Sequence, residues 1–243
     1  PPAGAPPRAS EPESPVLGAA HLPTPRRELG QAREDLSSLH ASLSHGLRSP
    51  IGAVINFAAV VEEDYGSALG AEGLSLLESI SRSARSALAL ADGLGRLSAV
   101  GHHELVMRQI DPEDLVRASF ADVAPSDRSL EFRIDGPLPP VVADAELLRI
   151  AFDQLLANAV RFTARREQAT VCVGGRREAD SVVYWVEDNG AGFLPRYADK
   201  LFRPFERLHR QDEFPGVGVG LAIVRRVAER HGGSIQADAE PDG

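Results

Sequence analysis

A long series of regularly spaced apolar residues limits what this chain can fold into. These residues recur every three or four positions between 29 and 61, which is the spacing of an amphipathic helix and is close to the seam of a coiled coil. We therefore predict a first helix over about residues 26–64, ended by Tyr65-Gly66-Ser67 and by Gly70. The members of the series are Leu29, Leu36, Leu39, Leu43, Leu47, Ile51, Val54, Ala58 and Val61.

A second helix is predicted over about residues 72–100. Its small and apolar residues lie along one seam, so that the two helices form a helical hairpin. A single hairpin of this length buries little apolar surface, and the seam favours a homodimer in which two hairpins make a four-helix bundle. The alternative is a hairpin that packs on another domain of the same chain. The seam positions are Leu77, Ile80, Ala84, Ala87, Ala91 and Leu94.

His45 has an unusual position in the first helix. It lies two residues after Leu43 and two before Leu47, roughly 200° from each around the helix, so its imidazole is expected to face solvent. Pro50 removes one helical hydrogen bond, and we expect the helix to bend just after the histidine. Such a histidine is accessible to partners, although polar residues are also the ordinary surface of an amphipathic helix.

The overall charge argues against nucleic acid as the main partner, because a net charge of −9 comes with no basic stripe to neutralise phosphates. The only cysteine, Cys172, lies in the apolar strand pattern Thr170-Val171-Cys172-Val173, where we predict a buried thiol. A single cysteine excludes an intramolecular disulfide and fits a reducing, cytoplasmic compartment. No segment of the sequence reaches the length of a membrane span.

The first 25 residues are rich in proline and are predicted to be a linker. They contain no signal peptide, and the chain does not begin with methionine. We therefore expect a fragment of a longer protein whose N-terminal neighbour is missing.

Short strands alternate with helices from residue 105 onwards, the pattern of a layered α/β sandwich. With the hairpin at 26–100, this predicts an α + α/β chain whose second domain covers 105–243. Asp111 and Asp144 are candidate helix caps, and Asp144 precedes a strongly amphipathic helix over 145–162. The predicted strands cover 105–110, 130–134, 141–142, 169–173, 181–186 and 234–237, and the other helices cover 112–123 and 221–231.

Two segments of this second domain have the chemistry of a nucleotide site. Asn158 and Arg161 lie one turn apart on a helix, so an amide oxygen suited to Mg²⁺ is close to a cation suited to phosphate. Asp188 follows a buried strand as a fixed acceptor, and Gly190 and Gly192 let a ligand approach the backbone. Each pattern alone is common, since Asn-Gly is also ordinary turn chemistry.

Two further segments lie downstream. Glycines precede a helix that begins at Leu221, and backbone N–H groups at a helix N-terminus form an anion site. Their spacing, without a following Lys-Ser/Thr, argues against a Walker-type loop. Upstream of them, Phe202 and Phe205 are either core anchors or hinge points of a mobile lid. The glycines are Gly216, Gly218 and Gly220.

The four motifs in this order, with the segment 44–50 upstream, strongly resemble a sensor histidine kinase over about residues 26–237. The segment Ser44-His45-Gly46-Leu47-Arg48-Ser49-Pro50 is similar to the phosphoacceptor box of that family, which implies that His45 is phosphorylated. Asn158 matches the asparagine that binds Mg²⁺, and Arg161 the neighbouring basic position. Asp188 matches the aspartate that bonds the adenine amino group of ATP.

The resemblance extends to the remaining candidates. Gly190 and Gly192 lie beside the adenine aspartate, Phe202 and Phe205 match an aromatic box, and the three later glycines with Leu221 match the ATP lid. It implies an ATP- and Mg²⁺-dependent homodimer that phosphorylates its own histidine. The phosphoryl group then passes to an aspartate of a response regulator. The segment 196–233 is similar in particular to phytochrome-type kinases, which implies a sensor domain upstream.

The sequence departs from the family pattern at several positions. Gly46 replaces the usual acidic residue after the histidine, which favours as an alternative a degenerate, nucleotide-binding docking module. Ser49 replaces the usual Thr or Asn that orients water for phosphatase activity, but keeps a hydroxyl. Gln154 replaces a common Asn, and the chain stops before the closing strand. A third alternative, an ATPase of the chaperone or DNA-repair type, disagrees with the upstream hairpin.

Overall fold

The computed structural model describes residues 25–209, 213–214 and 216–239, and describes side chains from residue 46 onwards. Two compact units are distinguished, Pro1–Leu36 and Ser37–Gly243. The first contributes only the helical backbone of residues 25–36 to the described structure. Of the predicted linker over residues 1–25, residues 1–24 lie outside the described structure and residue 25 begins α1. The helices are α1 (Pro25–His102), α2 (Glu113–Val123), α3 (Ala145–Phe162), α4 (Ala198–Leu201) and α5 (Gly220–Arg230). The strands are β1 (Met107–Ile110), β2 (Leu130–Asp135), β3 (Val141–Asp144), β4 (Ala169–Arg177) and β5 (Val182–Asp188).

Helix α1 is a hairpin with two arms that reverse direction at Gly70. This residue has φ 64° and ψ 179°, and it is the non-helical position inside α1. A positive φ suits glycine, which lacks a Cβ. Arg48 and Asp92 lie equally far from Gly70 along the chain, and their side chains pair across the two arms. The hairpin predicted from the sequence is therefore present in the described part of α1.

The turn of the hairpin is tighter than predicted. Tyr65, Gly66 and Ser67 are helical, and the first arm continues to residue 69. Leu74 of the second arm lies against Gly66, 3.6 Å from the position of an added Cβ, so packing between the arms supports helical backbone there. Pro50 also lies inside the helix. The prediction that residues 65–67 end the helix is wrong.

The second domain contains two sheets. Strands β1 and β3 pair antiparallel, and the other sheet has the order β2–β4–β5, with β2 parallel and β5 antiparallel to β4. Alternate residues of β4 face a core against α2 and α3, because Val171 and Val173 pack with Val116 and Leu156. Cys172 points to the opposite face and is buried, as predicted.

A second core joins this domain to the hairpin. Val100, near the end of α1, packs with Leu147 of α3, with Val219 and with Ile223 of α5. The guanidinium of Arg230 donates hydrogen bonds to the carbonyl oxygens of Val100, Gly101 and His103. Cationic donors suit these carbonyls because the last carbonyls of a helix have no partner within it.

Three predictions of secondary structure need correction. No strand is assigned over 234–237 within the described residues, where no ladder partner pairs with the segment, although Ile235 packs on the core. Strand β4 continues through Gly174 and Gly175, since the rings of Trp185 and Tyr184 on β5 lie over these glycines. The segment predicted as loop contains the short helix α4 after a 3₁₀ turn at Pro195–Tyr197.

Asp144 makes the junction between the hairpin and the second domain sensitive to acid. Burial raises the pKa of its carboxyl group, but hydrogen bonds from Leu147 N–H, Val106 N–H and His103 outweigh this and lower the pKa to about 2. Because the pKa falls on folding, the stability contributed by this carboxylate is present above about pH 4 and is lost as the pH approaches 2. We expect Asp144→Asn to flatten the dependence of the free energy of unfolding on pH in this window.

Urea unfolding at several pH values between 2 and 6 measures this dependence. The exposed Glu146→Gln serves as the matched control because it removes a neighbouring carboxylate. A variant Asp144→Asn that retains the slope of the wild type would contradict the assignment.

Candidate nucleotide site

One face of α3 lies against the glycine segment that precedes α5. A Cβ built on Gly220 would lie 2.8 Å from Oε1 of Gln154 and 3.7 Å from Nδ2 of Asn158. One turn further along α3, Nη1 of Arg161 would lie 2.7 Å from a Cβ built on Gly216. Asn158 and Arg161 therefore both lie beside the glycine segment.

Arg161 is a half-buried cation whose electrostatic environment favours an anion. Burial of its guanidinium, together with the positive charge of Arg207, lowers the pKa of Arg161. Among the residues that the structure describes, no carboxylate forms an ion pair with it. The negative charge of a phosphate at this position would offset both the desolvation of Arg161 and its repulsion by Arg207.

The end of β5 supplies a carboxylate. Oδ1 of Asp188 accepts a hydrogen bond from Gly190 N–H at 2.9 Å. Partial removal from water raises the pKa of Asp188, with the Gly190 bond opposing the shift and Glu187 adding to it. A Cβ at Gly190 would lie 2.8 Å from the backbone carbon of Phe162 and 2.5 Å from Asp188, so glycine is required for this close approach to α3.

The two phenylalanines of the predicted aromatic box have different environments. Phe202 is buried, which favours its interpretation as a core anchor. Phe205 is exposed and has φ 67°, an uncommon conformation for an aromatic residue. Its N–H donates to the carbonyl of Gly218 at 2.8 Å, and Gly218 itself has φ 71°. This bond joins the aromatic segment directly to the glycine segment.

Several residues that hold the site together were missed in the sequence. Arg128 donates to Val160 O at 2.6 Å and to Thr163 at the end of α3. Arg166 donates to Gly190 O at 2.7 Å, and His209 bonds Gly192 O at 2.9 Å through Nε2. These arginines and this histidine act through contacts distant in the chain, so no local pattern identifies them.

The phosphoacceptor segment lies on the first arm of α1. The backbone of His45 is helical, and its side chain lies outside the described residues. Ser49 is exposed. Gly46 is also exposed, and a Cβ added to it would meet no atom within 4 Å.

Known proteins match the second domain and, over longer alignments, most of the chain. Residues 143–243 match the family described as histidine kinase-, DNA gyrase B-, and HSP90-like ATPase. Over 82% of its length, the chain is 32% identical to the methanogenesis regulatory histidine kinase FilI of Methanothrix harundinacea, of which it covers 22%. The chain is a homologue of the sensor histidine kinases. The family resemblance predicted from the motifs is thereby confirmed.

This kinase homologue is also similar to phytochrome-like proteins. It is 28% identical over 216 residues to the phytochrome-like protein Cph1 of Synechocystis, and the match covers 88% of the chain. The chain spans only 29% of the length of that relative. The full-length structure of ShkA in complex with AMPPNP matches 84% of the chain, and 43% of ShkA is covered, with a TM-score of 0.59 and 27% identity. The predicted combination of a helical segment with an α/β domain agrees with that structure.

The described helices of the kinase homologue contain none that is long and apolar enough to cross a membrane. Within the same described residues, no group of three or more His, Cys, Asp or Glu side chains converges on a common point that would suit a metal ion.

Proposed function

We propose that this chain is the catalytic part of an ATP-dependent protein histidine kinase that phosphorylates His45 and transfers the phosphoryl group to an aspartate of a response regulator. The observation that carries the proposal is the site on α3. There Arg161, a half-buried cation, and Asn158 meet the glycine segment in a domain of an ATPase family.

ATP is the nucleotide that these residues would hold. The Asp188 carboxylate would accept a hydrogen bond from the amino group of adenine, beside Gly190 and Gly192. Arg161 and the backbone N–H groups that precede α5, where the helix N-terminus favours negative charge, would bind the phosphates. The AMPPNP complex of ShkA supports an adenine nucleotide as the ligand of such a domain.

Asn158 is the proposed Mg²⁺ ligand. Its side-chain amide lies 3.7 Å from a Cβ built on Gly220, and Arg161 follows one turn later on α3, beside Gly216. An amide oxygen is a suitable ligand for this cation, which neutralises phosphate charge during phosphoryl transfer. Asn158 and Arg161 would then act on the same phosphates from two adjacent turns of α3.

The exposed surface of the hairpin supports a homodimer. Apolar side chains that remain uncovered in the single chain occur on both arms, and they include Val54, Phe57, Leu76 and Ile80. These side chains do not line the cleft of about 280 Å³ that lies between α1 and α3. Association of two hairpins into a four-helix bundle would bury the apolar residues, as seam-forming helices do. The response regulator and an upstream sensor are proposed from the kinase relatives alone.

Gly46 favours a second candidate function. Without an acidic side chain at this position, the chain would bind nucleotide and partners but transfer phosphate inefficiently. Incubation with γ-labelled ATP and Mg²⁺ separates the two candidates. A kinase incorporates a label that is labile to acid and stable to alkali, whereas a docking module binds ATP without incorporation.

A further inference from the structure

Phosphorylation of a histidine requires that a proton leaves the imidazole. When one ring nitrogen attacks phosphorus, the proton on the other nitrogen becomes acidic and has to be accepted. A carboxylate placed at that nitrogen commonly increases the rate by about 10²–10⁴. Position 46 is a glycine that offers no such group. A carboxylate that serves this step would therefore come from another part of the fold.

The carboxylate of Asp92 lies on the second arm of the hairpin, at nearly the same position along the helix axis as His45. The arms of the hairpin are antiparallel about Gly70, and residues equally far from Gly70, such as Arg48 and Asp92, lie side by side. At a rise of about 1.5 Å per residue, Asp92 lies about 4–5 Å along the axis from the level of His45. The other acidic residues between 46 and 102 lie close to the turn: Glu62, Glu63, Asp64, Glu72 and Glu78.

Arg48 holds the Asp92 carboxylate towards the first arm. Its Nε and Nη2 lie 3.0 Å and 2.5 Å from the same oxygen, Oδ1, so Oδ2 keeps its capacity to accept a further hydrogen bond. Arg48 is three residues after His45, and side chains with this spacing are neighbours on a helix. An exposed ion pair of this kind contributes little to stability. Its main consequence is therefore the position of the carboxylate.

We propose that Asp92 is the general base for phosphorylation of His45, a role that rests on the proposed kinase function. In this step Nε2 of His45 forms a bond to the γ-phosphorus, and the bond from phosphorus to the bridging oxygen breaks with its electron pair going to ADP. The proton on Nδ1 passes to the Asp92 carboxylate and from there to water. Asp92 thus supplies from the second arm the group that Gly46 lacks.

The test compares Asp92→Asn with the matched control Glu78→Gln. Glu78 also pairs with an arginine on the exposed surface of the hairpin, Arg82, but lies near the turn. We expect the initial rate of labelling to fall about 100-fold in Asp92→Asn, with unchanged ATP affinity and melting temperature, and to stay at the wild-type level in Glu78→Gln. Adding Gly46→Glu to Asp92→Asn should restore the rate, because position 46 has open space around it.

A second measurement does not depend on ATP. The ¹⁵N chemical shifts of His45, assigned by comparison with His45→Gln, report which ring nitrogen carries the proton. A carboxylate at Nδ1 predicts that the neutral ring is protonated there in the wild type and shifts towards Nε2–H in Asp92→Asn. An Asp92→Asn variant with the labelling rate or the ¹⁵N shifts of the wild type would overturn the proposal. If the wild type is never labelled, the kinase function is refuted. In that case the ¹⁵N shifts of His45 still test whether the Asp92 carboxylate lies at Nδ1.

Discussion

Replacing His45 by glutamine is expected to abolish the incorporation of phosphate from γ-labelled ATP. Glutamine retains helical backbone and polarity but has no nucleophilic nitrogen, so the transfer has no acceptor. The loss should be complete within detection, because each chain has one phosphoacceptor segment of this kind. Autoradiography after separation of the protein at neutral pH measures the result.

Binding of ATP is the control for this variant. The proposed nucleotide site lies on α3, β5 and the segment before α5, so His45→Gln should bind ATP with the affinity of the wild type. Persistent acid-labile label in His45→Gln would place the acceptor at another residue. Replacing His102, another histidine of α1, should leave the label unchanged.

Replacing Asn158 by alanine is expected to reduce labelling by about 10²–10³ or more, the loss typical when a group that stabilises the reacting charge is removed. The side-chain amide of Asn158 faces the glycine segment, and Mg²⁺ would be held there against the phosphates. Initial rates at saturating ATP over a range of Mg²⁺ concentrations measure the effect. We expect a smaller loss of ATP affinity than of rate, because Asp188, the proposed partner of adenine, is unchanged in this variant.

Mixing Asn158→Ala chains with His45→Gln chains provides the control for Asn158→Ala. That variant is expected to transfer phosphate poorly but keeps an intact acceptor, whereas His45→Gln has the opposite defect. If transfer crosses between the two chains of a dimer, the mixture regains label on the Asn158→Ala chain. An Asn158→Ala variant with the rate of the wild type would show that this residue does not hold the metal.

The elements with strong local patterns were predicted closely. Helix α3 has the predicted bounds, and Asp144 caps it by accepting Leu147 N–H at 3.0 Å. Elements that depend on distant partners were predicted less well. Tyr65-Gly66-Ser67 has the composition of a turn but stays helical between packed arms, and the strand predicted over 234–237 lacks a ladder partner among the described residues.

The candidate site likewise combines features that local sequence patterns predict with features that depend on distant partners. Asn158, Arg161 and the glycines were chosen from spacing and residue type, and the structure brings them together. The anion-favouring environment of Arg161 was not visible in the sequence, since it depends on Arg207 and on burial between α3 and the glycine segment. The positions of Arg166 and His209 likewise depend on loops that meet only in the folded domain.

Mapping of the phosphorylated residue is the most direct test of the proposal that this chain phosphorylates His45. The wild-type chain is incubated with ATP and Mg²⁺, kept at alkaline pH where a phosphorus–nitrogen bond survives, and digested for mass spectrometry. We expect phosphohistidine at position 45. Phosphate on a different residue, or an unmodified chain that nevertheless binds ATP, would contradict it.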